Sequence, residues 1–151
     1  YWDGSYGGNP MLWPLYEGKD DADIFMVELT PLKRAETPTT AKNILNRINE
    51  IASINALVAE LRQVDAYNRL GAAIRLHVLS LADEDSAAAT LEPSVKRSVG
   101  MMLFESLRLR GRAACERWLA DNWAGLGVRS TTDLRGKYIQ PYEQTAPEVS
   151  G

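Results

Sequence analysis

Ile24-Phe25-Met26-Val27-Glu28-Leu29 is the run on which the fold turns. Its length suits a strand, and its near lack of polar alternation predicts burial on both faces, as in a parallel sheet. The run stops at Thr30-Pro31, where proline offers no ladder donor. A strand of this kind needs a neighbour on each side and a layer on each face.

Downstream, residues 31–38 read as a polar connection, and Thr39 or Thr40 caps a long helical segment. Ile44, Ile48, Ile51 and Val58 recur on one helical stripe, widened by Ile54, Leu57, Leu61 and Val64. Gly71 is the expected stop. Ile74 to Leu81 reads as a second strand, with Ile74, Leu76 and Val78 on one face and Arg75 and His77 on the other. An acidic, alanine-rich connection follows at Asp83–Ala89. Ser94 to Asn122 is helical again, as two helices or as one kinked near Gly111. Val99, Leu103 and Leu107, then Ala114, Trp118 and Leu119, mark its apolar stripe, with Trp123 anchoring the exit. Gly125 and Gly127 end the segment, and Ser130 or Thr131 caps a last short helix through Tyr138. Two strands supply few of the neighbours that the first one needs, so further strands are expected from upstream sequence or a partner.

Upstream, Asp3-Gly4-Ser5-Tyr6-Gly7-Gly8-Asn9-Pro10 crowds three glycines and an Asn-Pro into a short block. Such density marks a sharp turn or a close approach. Pro10 opens a short helix over Met11–Glu17, with Gly18 as its stop. Tyr1-Trp2-Asp3-Gly4 is a beginning without Met, and Gln140–Gly151 reads as a loose tail. Together they suggest the C-terminal part of a longer protein.

The 151 residues are 45% hydrophobic and 25% charged, values typical of a folded soluble domain rather than of disorder or a collagen-like repeat. The formal charge of −3 argues against bulk attraction to nucleic acid, and no nucleic-acid partner is expected. No apolar run approaches the ~20 residues needed to span a bilayer. A lone cysteine, Cys115, excludes an internal disulfide framework and suits a reducing, cytoplasmic setting. No secretory signal is recognised.

For chemistry, Asp3-Gly4 is the most suggestive pair: a carboxylate on a glycine-flanked loop can face an open cleft, although Asp-Gly is also a common turn. Asp3-Gly4-Ser5-Tyr6-Gly7 approaches a nucleophile elbow, but Asp3 stands where the tight turn needs glycine, and no apolar strand precedes it. His77 has no serine or cysteine in an activating context and reads as a strand histidine satisfied by a neighbour; Cys115 reads as a small packing residue. No phosphate loop, metal-ligand spacing or dinucleotide fingerprint occurs, so neither a cofactor nor a metal is expected. Lys96, Arg97, Arg108, Arg110, Arg112 and Arg117 share their segment with only Glu105 and Glu116. That excess fits a solvated helix face or peripheral contact with anionic lipid.

Tyr1-Trp2-Asp3-Gly4-Ser5-Tyr6-Gly7-Gly8-Asn9-Pro10 resembles the Asp-Gly-Gly/Ala…Asn-Pro block of bacterial patatin-like phospholipases. The similarity continues through Ile24–Leu29, the Thr-Pro and Asn-Arg-Ile-Asn-Glu-Ile segment at Thr37–Ile51, and Gly127-Val128-Arg129-Ser130-Thr131, spanning most of residues 1–138. It implies an α/β fold with three α/β/α layers and hydrolysis of acyl esters, often lipids, through a Ser–Asp dyad. Asp3 matches the dyad base, Gly4 the following small position, and Asn9 and Pro10 the structural start of the next helix. Ser5 departs from the usual Gly or Ala. The family's glycine-rich oxyanion loop and its G-x-S-x-G serine precede this block and are not in the sequence, so the chain by itself is expected to be inactive. The resemblance divides the chain into 1–38, the end of a catalytic domain, 39–138, a helical region with one strand, and 139–151, a flexible tail. A helical protein-interaction module without catalytic activity is the alternative reading.

Overall fold

Two parallel strands joined by one long helix organise the chain in a computed structural model, which describes residues 9–29, 32–33, 37–80, 83 and 100–143. A short turn of helix, α1 (Trp13–Tyr16), precedes β1 (Asp21–Glu28); α2 (Ala41–Arg69) leads to β2 (Ala73–Ser80), and α3 (Met101–Asn122) follows. A 3-10 turn at Trp123–Gly125, a π turn at Arg135–Ile139 and α4 (Gln140–Glu143) complete the described elements. Mostly helical with a parallel strand pair, this is a small α/β arrangement.

β1 and β2 run in register from Asp21 opposite Ala73 to Glu28 opposite Ser80. A parallel pair requires a crossover, and α2 supplies it. Thr40 accepts the Asn43 N–H at the N-cap, and Gly71 leaves the helix at φ 107°, a left-handed turn that favours glycine. Ile24, Met26, Leu57, Leu61, Val64, Ile74, Leu76, Val78 and Tyr138 form one buried cluster, with Leu12 and Tyr16 of the α1 region at its edge.

Burial of β1 departs from the expectation of two covered faces. Ile24, Met26 and Glu28 are buried, whereas Phe25 and Val27 are 49% and 54% exposed. An unbroken apolar run carries no sign of which face is covered, because side chains alternate whatever their polarity. The α2 stripe also divides. Ile54, Leu57, Val58, Leu61 and Val64 are buried, but Ile44, Ile48 and Ile51 are exposed beside Leu45. Length explains this: 29 helical residues extend about 44 Å, while eight strand residues cover about 26 Å. The first half of α2 therefore overhangs the strands.

β2 meets side chains and a loop on its far side. Its outer edge is filled without a strand. Asn68 pairs with both the N–H and C=O of Ile74 at 2.8 Å each. The Leu76 N–H donates to Ser130 Oγ at 3.1 Å, and the Leu76 carbonyl accepts the Thr131 and Thr132 N–H groups. Val78 donates to Thr132 Oγ1 at 3.0 Å and accepts the Trp118 indole N–H at 2.8 Å. Ser130 and Thr131 thus serve the sheet rather than capping a helix; the last turns begin at Arg135 and run on to Glu143, into the stretch read as tail. Among the described residues, no strand pairs with the outer edge of β1.

Through its described part, α3 is one continuous helix that passes Gly111 without a break. Ala114 and Trp118 are its buried contacts, and Trp123, expected as an anchor, is instead exposed.

Candidate functional site

Asp3 and Gly4 lie outside the described residues. Asn9 is exposed and Pro10 half-buried, joined by a cis peptide bond. The chain leaving this block is tied to α2: Glu60 accepts the N–H groups of Leu12 at 2.8 Å and Trp13 at 3.1 Å. A carboxylate at these free helical donors satisfies groups with no intrahelical partner. The exit of the Asp-Gly block is therefore fixed relative to the strand pair, with Leu12 buried as its apolar anchor.

Tertiary contacts assemble two polar clusters that local sequence did not reveal. The first joins β1, β2 and the loop after α3. His77 is fully buried; its Nε2 lies 2.7 Å from Asp23 Oδ1 and its Nδ1 3.0 Å from Thr131 Oγ1. Arg75 holds Asp23 through Nε at 2.9 Å and Nη2 at 2.8 Å, and also bonds Asp21. Gly127 donates its N–H to Asp23 at 3.1 Å. The Arg75 guanidinium, followed by His77, holds the Asp23 carboxyl well below the usual carboxylate range.

This hydroxyl–imidazole–carboxylate chain has the components of a nucleophile relay, but its surroundings direct it elsewhere. The N–H groups of Thr131 and Thr132 are both committed to the Leu76 carbonyl, leaving neither to stabilise an oxyanion at the Thr131 hydroxyl. Thr131 Oγ1 can donate to a neutral imidazole or accept from a protonated one. The chain pins the 127–132 loop across both strands. His77 is thus a strand histidine satisfied by its neighbours.

The second cluster sits where both strands end. Glu28 accepts the Tyr138 hydroxyl at 2.6 Å and the Ser80 hydroxyl at 2.8 Å, and all three residues are buried. Lys137 Nζ lies 3.5 Å from Glu28 and 2.6 Å from Asp83. Burial, aided by the neighbouring Glu28 carboxylate, pushes the Tyr138 phenol far above its ordinary value. Ser80 and Glu28 have the spacing of a serine–carboxylate dyad, but both are buried between the strand ends, where the Ser80 hydroxyl is committed to Glu28. The useful sequence signal was Glu28 itself, a carboxylate inside an otherwise apolar strand.

On α3, Arg108 makes a two-pronged pair with Glu105 at 2.6 and 2.8 Å, and Arg112 meets Glu116 at 3.1 Å. Arg110 is half-buried. Exposed pairs of this kind contribute little to stability, but they place acids among the basic side chains. Among the described residues, no group of His, Cys, Asp and Glu could hold a metal ion, and no helix is long and apolar enough to cross a membrane.

Comparison with protein-family models, curated proteins and solved structures finds no match in any of the three.

Proposed function

We propose that this chain is the C-terminal part of a bacterial patatin-like serine acyl hydrolase acting on carboxylic esters of lipids, with Asp3 as the base of its Ser–Asp dyad. The ordered resemblance running from Asp3-Gly4…Asn9-Pro10 to Gly127–Thr131 carries this reading. The described fold is compatible with it: a parallel strand pair whose β1 has no strand on its outer edge among the described residues leaves room for the rest of a layered sheet. In the proposed reaction, Asp3 takes the serine proton as the hydroxyl attacks the ester carbonyl. Backbone N–H groups of a glycine-rich loop hold the resulting oxyanion. Serine and loop both come from sequence upstream of the block, so this chain alone is inactive. No cofactor is required. The basic segment around Arg108, Arg110 and Arg112 helps present the enzyme to anionic lipid from the cytoplasmic side.

Ester hydrolysis by the longer parent protein tests the dyad. Asp3→Asn should abolish turnover while leaving the fold intact, with the 151-residue chain silent on its own. Full activity in Asp3→Asn reduces Asp3 to a turn residue. For lipid contact, replacing Arg108, Arg110 and Arg112 together with Gln should weaken co-sedimentation with anionic vesicles, and unchanged binding removes that role.

A helical interaction module is the second reading, favoured by the exposed stripe Ile44, Leu45, Ile48 and Ile51 on α2. It predicts a cooperatively melting monomer that needs no upstream sequence.

A further inference from the structure

We infer that residues 126–132 form a releasable strap over the outer edge of β2, closed by the packing of Thr131 on Gly125 and bolted by the Thr131–His77–Asp23 chain. The inference rests on the geometry alone and is independent of the hydrolase reading.

Three observations carry it. The strap takes the place of a strand: Ser130 and Thr132 hydroxyls and the Thr131 and Thr132 N–H groups satisfy Leu76 and the N–H of Val78. Its own attachment is polar and shallow. Gly127, Val128, Arg129 and Ser130 are exposed, and no strap residue belongs to the buried apolar cluster. A segment held by a few hydrogen bonds opens at a lower free energy than the body beneath it. Finally, the closed position depends on a missing side chain. A Cβ on Gly125 would stand 2.7 Å from the Thr131 methyl and 3.8 Å from Arg129, although the backbone there is not left-handed. Gly127, at φ 71°, provides the turn that brings its N–H onto Asp23.

When the strap lifts, Leu76 loses its N–H and C=O partners together and Val78 loses the acceptor of its N–H. The body of the fold keeps its own contacts, including Asn68 on Ile74 and Trp118 on the Val78 carbonyl. Arg129, exposed at the middle of the strap, becomes the natural reporter because trypsin cuts after arginine only in an opened segment.

The experiment uses the full chain and follows two signals, tryptic cleavage after Arg129 and hydrogen exchange at the Leu76 and Val78 amides. Gly125→Ala should accelerate both by about tenfold or more, with cleavage after Arg62 in α2 unchanged. Thr131→Val keeps the methyl but deletes the hydroxyl facing His77, and should open the same strap. Thr131→Ser removes the methyl and keeps the hydroxyl. Gly125→Ala/Thr131→Ser should therefore return both signals to within about threefold of the parent, since the added methyl again has space. Three results would overturn the strap: no acceleration in Gly125→Ala and Thr131→Val, equal acceleration at Arg129 and Arg62, or a double variant as open as Gly125→Ala.

Discussion

β1 and β2 are equally long and equally apolar in sequence, yet they meet different surroundings. β2 is buried over most of its length, and its outer edge is filled by Asn68, Trp118, the Ser130 and Thr132 hydroxyls and the Thr131 and Thr132 N–H groups. β1 buries one face in the shared apolar cluster, leaves Phe25 and Val27 half exposed, and has no strand on its outer edge among the described residues. Trp118 softens the contrast only at Phe25, where the rings meet edge to face at 5.0 Å. A need for neighbours inferred from apolarity thus applies to β1 alone. An edge can be completed by side-chain hydroxyls and an amide as fully as by another strand, because the backbone requires only donors and acceptors in place.

That contrast can be broken by mutation, beginning with the largest effect. Leu76→Ala empties a fully packed site under β2 and should destabilise the chain by about 2–5 kcal/mol in urea unfolding. A loss under about 1 kcal/mol would mean that β2 is no better packed than β1. Tyr138→Phe keeps the ring and deletes the hydroxyl that meets buried Glu28, and should cost about 1–3 kcal/mol. Restoration by Tyr138→Phe/Glu28→Leu would separate a stranded carboxylate from lost packing, and continued loss would assign the effect to the ring pocket.

Asp23 sharpens the comparison through pH. Its folded-state carboxyl is held below the ordinary value of about 3.9, so its contribution is full above that value and fades as pH falls toward the depressed one. Asp23→Asn should therefore differ most from the parent near neutrality, and the two should converge in acid. A difference independent of pH would show that the carboxylate charge is not what holds Arg75 and His77. The smallest effect belongs to β1. Val27→Thr on its bare face should change stability by less than about 0.5 kcal/mol. If it costs about 1–3 kcal/mol, as burial of an unpaired hydroxyl does, something covers that face.

Much of the backbone plan was legible because local physics enforces it. Thr40 caps α2, Gly71 ends it, and the two apolar runs form strands within a few residues of their expected limits. The site was less legible. Asp3-Gly4 stands out as a block, whereas His77 gains its meaning from Asp23 and Thr131, each 54 residues away. Tyr138 lies 110 residues from Glu28. No local pattern links positions so distant.

By itself, the sequence determined the cap and the stop of α2 and the places of the two strands. Those features follow from capping, glycine freedom and hydrophobic period, all properties of a few adjacent residues. Only the tertiary structure decided which apolar faces are covered, that hydroxyls at Ser130 and Thr132 stand in for a strand, and that Glu28 accepts the hydroxyls of a tyrosine and a serine and faces a lysine. Burial and polar satisfaction depend on what the rest of the chain brings alongside, and side-chain alternation records direction without recording company.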